Sequence, residues 1–169
     1  KVLQHLRGVL HCGPVGAGKT TYVKNHLMPG DIVIDTDAIG RAVTGMTLYD
    51  YVFTLPRSIL DIILPVRNGL VDLAVSYCLD GHNADVWITI GGANPLERQM
   101  IENKIRQLPY EIVIFEISHN LCRQHIQGDP ERGDWRLWDP IIKKWWDTYQ
   151  RRPGERIVST LDMLSPEFR

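Results

Sequence analysis

Apolar residues in this chain alternate between short β-branched runs and stretches with helical spacing. Residues 9–12 (Val-Leu-His-Cys) read as a short strand, and residues 19–28 as the helix after it. Met28-Pro29-Gly30 is a stop signal. Residues 31–37 (Asp-Ile-Val-Ile-Asp-Thr-Asp) then form a second strand-like run that ends in two acids, with a helix expected from about Ala38. Residues 45–56, with Tyr49, Tyr51 and Phe53 alternating, fit loop or irregular helix. Residues 65–80 carry Leu70, Leu73, Ala74, Tyr77 and Cys78 at helical spacing between an initial Pro65 and a terminal Gly81; residues 58–64 are either a separate helix or the same helix kinked at Pro65.

A third strand is expected at 85–90 with a helix at about 96–107, and a fourth at 111–117 with a helix at about 120–127. The fourth run is almost continuously apolar, as a strand buried on both faces should be. A closing helix at about 140–149 and a weaker fifth strand at 156–158 complete the pattern. Strands separated by helices in regular alternation imply an α/β fold with a mostly parallel sheet of four to five strands and helices on both faces. One domain over residues 1–169 is expected.

Between the first strand and first helix stands Gly13-Pro14-Val15-Gly16-Ala17-Gly18-Lys19-Thr20, which satisfies G-x-x-x-x-G-K-[ST] at every fixed position. Chance alone would give such a match in roughly one chain of this length in two hundred. The pattern makes ATP the expected ligand. Backbone N–H groups around Gly13, Gly16, Ala17 and Gly18, followed by Thr20 and Thr21 at the helix start, would face the phosphates, with Lys19 on the β- and γ-phosphates and the Thr20 hydroxyl on Mg²⁺.

Asp35 and Asp37 would point to one side of an extended strand end. Asp35 is a candidate to position Mg²⁺ and Asp37 a candidate base, although either could simply cap the next helix. Arg41, one turn further on, would project toward the same cleft. Residues 128–137 are rich in turn formers and carry Arg132 and Arg136, the composition of a mobile lid that covers a nucleotide. Trp138, Trp145 and Trp146 read as packing residues more readily than as a stacking platform for nucleic-acid bases.

Composition changes little. A net charge of −1 supplies no global pull toward a polyanion. Three separated cysteines, Cys12, Cys78 and Cys122, in apolar surroundings fit a reducing cytoplasm. No uninterrupted apolar run approaches eighteen residues, so no membrane partner is expected. The chain starts at Lys1 rather than Met, consistent with a piece of something longer.

Taken with the phosphate loop, residues 30–37, Arg41 and the arginine-bearing lid resemble the P-loop kinase family that contains phage-type polynucleotide 5′-kinase domains and the zeta toxins. The resemblance spans about residues 9–149. It implies a kinase that moves the γ-phosphoryl group of ATP to a hydroxyl, with Asp37 as general base and Arg41 near the acceptor. By the same resemblance Arg123 and Arg132 flank the lid, with Arg132 stabilising the transferring group. Asn94-Pro95-Leu96-Glu97-Arg98 is similar to the Asn-Pro-Glu-Arg that opens the corresponding helix in the polynucleotide kinases. Those kinases carry an Asp-Thr pair at the end of strand three, where this chain has Gly91-Gly92. The acceptor implied first is a nucleic-acid hydroxyl, at a 5′ end or on a modified base. A nucleotide sugar or small metabolite is the zeta-toxin-like alternative, and an ATP-binding module that hydrolyses slowly and works through a partner is the third.

Overall fold

The computed structural model describes residues 7–168. Five parallel strands form one sheet: β1 (Gly8–Cys12) lies in the middle, flanked by β3 (Val86–Ile90) and β4 (Tyr110–Glu116), with β2 (Ile32–Asp35) and β5 (Arg156–Ser159) at the edges. The chain leaves β1 for β2 on one side and β3 for β4 on the other side of β1, so the carboxyl end of β1 faces a topological switch point, where open α/β sheets hold ligands. The motif loop follows β1 at that end.

Helices cover both faces. One core layer joins Leu10, Cys12, Ile88, Ile112 and Ile114 of the sheet to α4 (Leu60–Leu79) and α5 (Pro95–Ile105), and reaches Trp145 of α7 (Asp139–Thr148). The other joins Val9, Val113 and Phe115 to α6 (His119–Gln127), to Ile142 of α7 and to α3 (Leu48–Thr54). Alternate residues of β4 thus enter opposite layers, which explains its continuous apolar run. All three cysteines are free and buried.

One boundary moves, and three points that the pattern left open are decided. The second strand stops at Asp35, because the Asp35 side chain accepts the Ala38 N–H at 2.9 Å and caps α2 (Thr36–Thr44); Thr36 and Asp37 are therefore helical. Residues 48–54 form α3, capped by Thr47. Pro65 does not break α4, since it lies in the second turn and removes a single backbone bond. The buried stripe of α4 is Ile63, Arg67, Val71, Ala74, Val75 and Cys78, which leaves Leu70, Leu73 and Tyr77 on the outer face. By length and composition Arg57–Leu79 is apolar enough to cross a membrane; in this fold its inner stripe packs against the sheet. After β5 come α8 (Thr160–Met163) and a 3-10 turn at Pro166–Phe168, which the apolar pattern does not announce.

Candidate active site

Strand β1 delivers the motif loop to the start of α1 (Lys19–His26). Gly13 N–H donates to the Gly91 carbonyl at 3.0 Å, tying the loop to the end of β3. Gly16 and Gly18 have φ of 78° and 91°, conformations that a side chain would strain. A Cβ at Gly16 would come within 2.6 Å of the Cys122 carbonyl oxygen, and one at Gly18 within 2.7 Å of the Met163 methyl. The loop is thus a backbone-lined cradle at the positive end of a helix, the form that takes phosphate. His125 of α6 holds the loop from the side, with Nδ1 donating to the Gly16 carbonyl at 2.6 Å. Lys19 Nζ folds onto the loop and donates to the carbonyls of Gly13 (2.7 Å) and Pro14 (2.9 Å). Burial lowers its pKa, while the carboxylates of Asp37 and Asp35 act in the opposite sense.

Asp35 joins three elements. Its Oδ1 caps α2, and its Oδ2 accepts from Thr89 of β3 at 2.6 Å and from Thr20 of α1 at 3.3 Å. Among the described residues no group of three or more His, Cys, Asp or Glu could hold a metal alone. A cation here would rest on the oxygens of Thr20 and Asp35 and on those of a bound phosphate, a hard donor set that suits Mg²⁺. Asp37 lies in the first turn of α2 and accepts no hydrogen bond from a described residue. Its carboxylate meets the water of the cleft but is walled in by protein. Burial, then the charge of Asp35, raises its pKa; Lys19, Arg132 and Arg41 pull the other way.

One cavity of about 1360 Å³ connects these groups. Val15, Gln124, His125, Met163, Leu164 and Phe168 line it along with the loop, whereas Arg57, Arg67, Asn94, Glu97, Lys144 and Trp145 also belong to its wall. Arg67 is only 2% exposed. It donates to Glu97 at 3.2 Å and, more weakly, to the Thr36 hydroxyl at 3.4 Å.

The segment expected to form a lid contains two 3-10 turns, Pro130–Arg132 and Trp135–Leu137. Arg132 lines the cavity, pairs with Asp129 at 3.3 Å and sits over the Trp138 ring at 5.0 Å; its Nη1 is buried without a partner. The other cations assigned from the sequence lie elsewhere. Arg123 is not part of the cavity wall, because Asp139 (3.1 Å) and the Trp135 ring (5.3 Å) hold it outside. Arg41 pairs with Glu131 at 3.5 Å and lines a separate recess of about 300 Å³ with Tyr49 and Gly133, while its charge still acts on Asp37. Arg136 is paired with Asp134 and exposed. Trp138 and Trp145 are buried, and Trp145 Nε1 donates to the Gly91 carbonyl at 2.7 Å, so neither forms an exposed stacking platform.

Gly13, Gly16, Ala17, Gly18, Lys19, Thr20, Thr21, Asp35, Asp37 and Arg132 therefore share one cavity, as their sequence positions imply. Thr89 and Arg67 were missed, although both left a signal. Thr89 is the sole polar residue of its strand, and Arg67 is a charge at a core position of an apolar helix.

No family model matches the chain, and neither does any curated protein sequence. Solved structures do. A sugar kinase from a Janibacter species superposes with a TM-score of 0.63 at 15% identity, covering 96% of this chain and 88% of its own. A gluconokinase from Sinorhizobium meliloti gives 0.59 at 10% identity, covering 98% and 87%. A shikimate kinase from Acinetobacter baumannii, solved with shikimate, gives 0.50 at 17% identity, covering 92% and 84%. These likenesses, with the strand order and the loop, show the P-loop kinase fold.

Proposed function

We propose that the protein is an ATP-dependent kinase that phosphorylates a hydroxyl group of a small metabolite. The observation that carries this reading is the single cavity running from the phosphate cradle past Asp37 to Arg67 and Asn94. Its volume of about 1360 Å³ exceeds the roughly 300–1,000 Å³ typical of one ligand, and suits a nucleotide with a small second substrate. The names of the structural neighbours, sugar kinase, gluconokinase and shikimate kinase, fall in the same class. A polynucleotide acceptor draws no comparable support, since Trp138 and Trp145 are buried and the net charge is −1.

In this reading the loop N–H groups and Lys19 hold the ATP phosphates, and Thr20 with Asp35 would hold Mg²⁺, which offsets charge on the β- and γ-phosphates when bound. Asp37 accepts the proton of the acceptor hydroxyl as its oxygen bonds to the γ-phosphorus. The bond from that phosphorus to the bridging β,γ-oxygen breaks, and ADP leaves with the electron pair. Arg132, whose Nη1 lacks a partner, donates to the transferring group. The raised pKa of Asp37 makes it the better proton acceptor.

The test is label transfer from γ-labelled ATP to a panel of hydroxyl compounds: sugars, sugar acids, cyclic polyols, nucleotide sugars, and single- and double-stranded oligonucleotides. Transfer to a small polyol or sugar derivative is expected. Transfer confined to the oligonucleotides would overturn the reading.

A further inference from the structure

We propose that Arg67 is the anchor for an anionic group on the phosphoryl acceptor, so that the acceptor is a small hydroxyl compound bearing a carboxylate or a phosphate. The proposal rests on the kinase reading above.

A guanidinium placed at a core position of α4 is costly unless its charge and its five donors are met. Here they are met in part. Nε donates to the Asn68 amide oxygen at 3.2 Å, while Nη1 donates to Glu97 and, more weakly, to the Thr36 hydroxyl. Among the described residues Nη2 has no protein acceptor, although Arg67 forms part of the cavity wall. The compensating charge is also incomplete. The Glu97 side chain is 34% exposed, so water screens its charge, and Arg57 and Lys144 line the same cavity. Once Mg²⁺ and the nucleotide phosphates engage Asp35, Lys19 and Arg132, the remaining ionic groups of the wall, Arg57, Arg67 and Lys144 against Asp37, Glu97 and Asp129, balance in number, so the anion's partner is the open edge of the Arg67 guanidinium itself. A planar, bidentate anion is the ligand that an open guanidinium edge recognises best.

The position fits the chemistry. Arg67 contacts Thr36, the residue directly before Asp37. An anion held on Arg67 would leave the body of a single-ring or short-chain molecule to present a hydroxyl to Asp37. The bond to Glu97 links α4 to α5 and keeps the guanidinium from swinging out of the wall.

The experiment pairs anionic compounds with neutral partners of like shape: glucuronate against glucose, quinate against inositol, and glucose 6-phosphate against glucose. Transfer from γ-labelled ATP and thermal stabilisation in the presence of MgADP are both read. The expected result is that an anionic member is phosphorylated with a KM at least tenfold below that of its neutral partner. Arg67→Met should erase that preference and leave the Kd for MgATP within twofold. Arg67→Lys, which keeps the charge but loses the fork, should restore it only in part. The carboxylate and phosphate arms decide which anion is held. Equal use of the neutral partners, an unchanged preference in Arg67→Met, or a wild-type protein that binds MgATP but is stabilised by no anion would each overturn this inference and leave the kinase reading standing. Failure of the wild type to bind MgATP would overturn both. Should Arg67→Met fail to fold, the wild-type stabilisation series and Arg67→Lys still decide.

Discussion

Thr89 donates a 2.6 Å hydrogen bond to Asp35 Oδ2, directly across the register of β2 and β3. The bond fixes the one carboxylate that also caps α2 and faces the Thr20 hydroxyl of α1, so a single side chain in β3 aligns the groups assigned to the metal. Thr89→Val should therefore raise the Mg²⁺ concentration needed for half-maximal turnover several-fold, with little change in stability beyond the roughly 1 kcal/mol of one hydrogen bond. Thr89→Ser should restore it. A Mg²⁺ titration of turnover for the three proteins checks this, and an unchanged Mg²⁺ response in Thr89→Val would separate Asp35 from the metal.

Asp37 carries opposite expectations for activity and stability. If Asp37 is the general base, as proposed, its replacement by Asn should lower turnover about 10²- to 10⁴-fold with ATP binding preserved. Because the fold raises its pKa, the charged form is disfavoured in the native state relative to the unfolded chain. The protonated form therefore favours folding below the ordinary carboxylate range, and that advantage is lost as pH rises through the raised value. Asp37→Asn should accordingly melt higher than wild type at neutral pH, and the gap should shrink on acidification. Melting curves across pH test this directly; a variant less stable than wild type at neutral pH would contradict the raised pKa of this carboxylate.

Much of this was legible from the residues, and the failures have physical causes. Gly13 to Thr20 and the four apolar runs carry strong local signals, and each run forms a strand of the sheet. The end of the second strand was misread because Asp-Thr-Asp suits an extended chain as well as a helix start, and a hydrogen bond from Ala38 to Asp35 decides between them. The sequence left the phase of α4 open because its outer face, with Leu70, Leu73 and Tyr77, is as apolar as its inner one. Arg41 was placed by its spacing from Asp37 as well as by resemblance, and Arg123 by resemblance alone; their partners, Glu131 and Asp139, lie 90 and 16 residues further along the chain. No window of sequence contains such pairings. The segment after β5 is too short for a periodic signal, yet it brings Met163 and Phe168 to the cavity wall.

Arg132 should act on the transition state. Its orphaned Nη1 gains an acceptor only when charge builds on the transferring group, so Arg132→Ala should cut kcat far more than it raises the KM for ATP. Arg132→Lys should recover little, since the ring of Trp138 and the carboxylate of Asp129 hold a planar guanidinium in place. Steady-state kinetics of both variants are the measurement. A raised KM with unchanged kcat would make Arg132 a simple nucleotide-binding residue.

Arg98, by contrast, is structural. It is fully buried, pairs with Glu155 at 2.8 Å and donates to the carbonyls of Gly92 and Ala93, which clamps the turn after β3 that lines the site. Glu155→Gln would leave an unpaired buried cation, a loss of about 3–5 kcal/mol. At this chain length that corresponds to a drop in Tm on the order of 10 °C. Thermal denaturation checks the value, and a drop of under about 2 °C would show that the pair is dispensable.

The central claim is phosphoryl transfer, and the most direct measurement follows the γ-phosphate of labelled ATP in a single turnover with the hydroxyl-compound panel present. The label should appear as an organic phosphate ester, with ADP formation that depends on the acceptor. Lys19→Ala, which lacks the charge on the phosphates, should give neither product while keeping its melting temperature within a few degrees of wild type. Label released solely as inorganic phosphate, at a rate indifferent to every acceptor, would contradict the claim and make the protein an ATP-hydrolysing module.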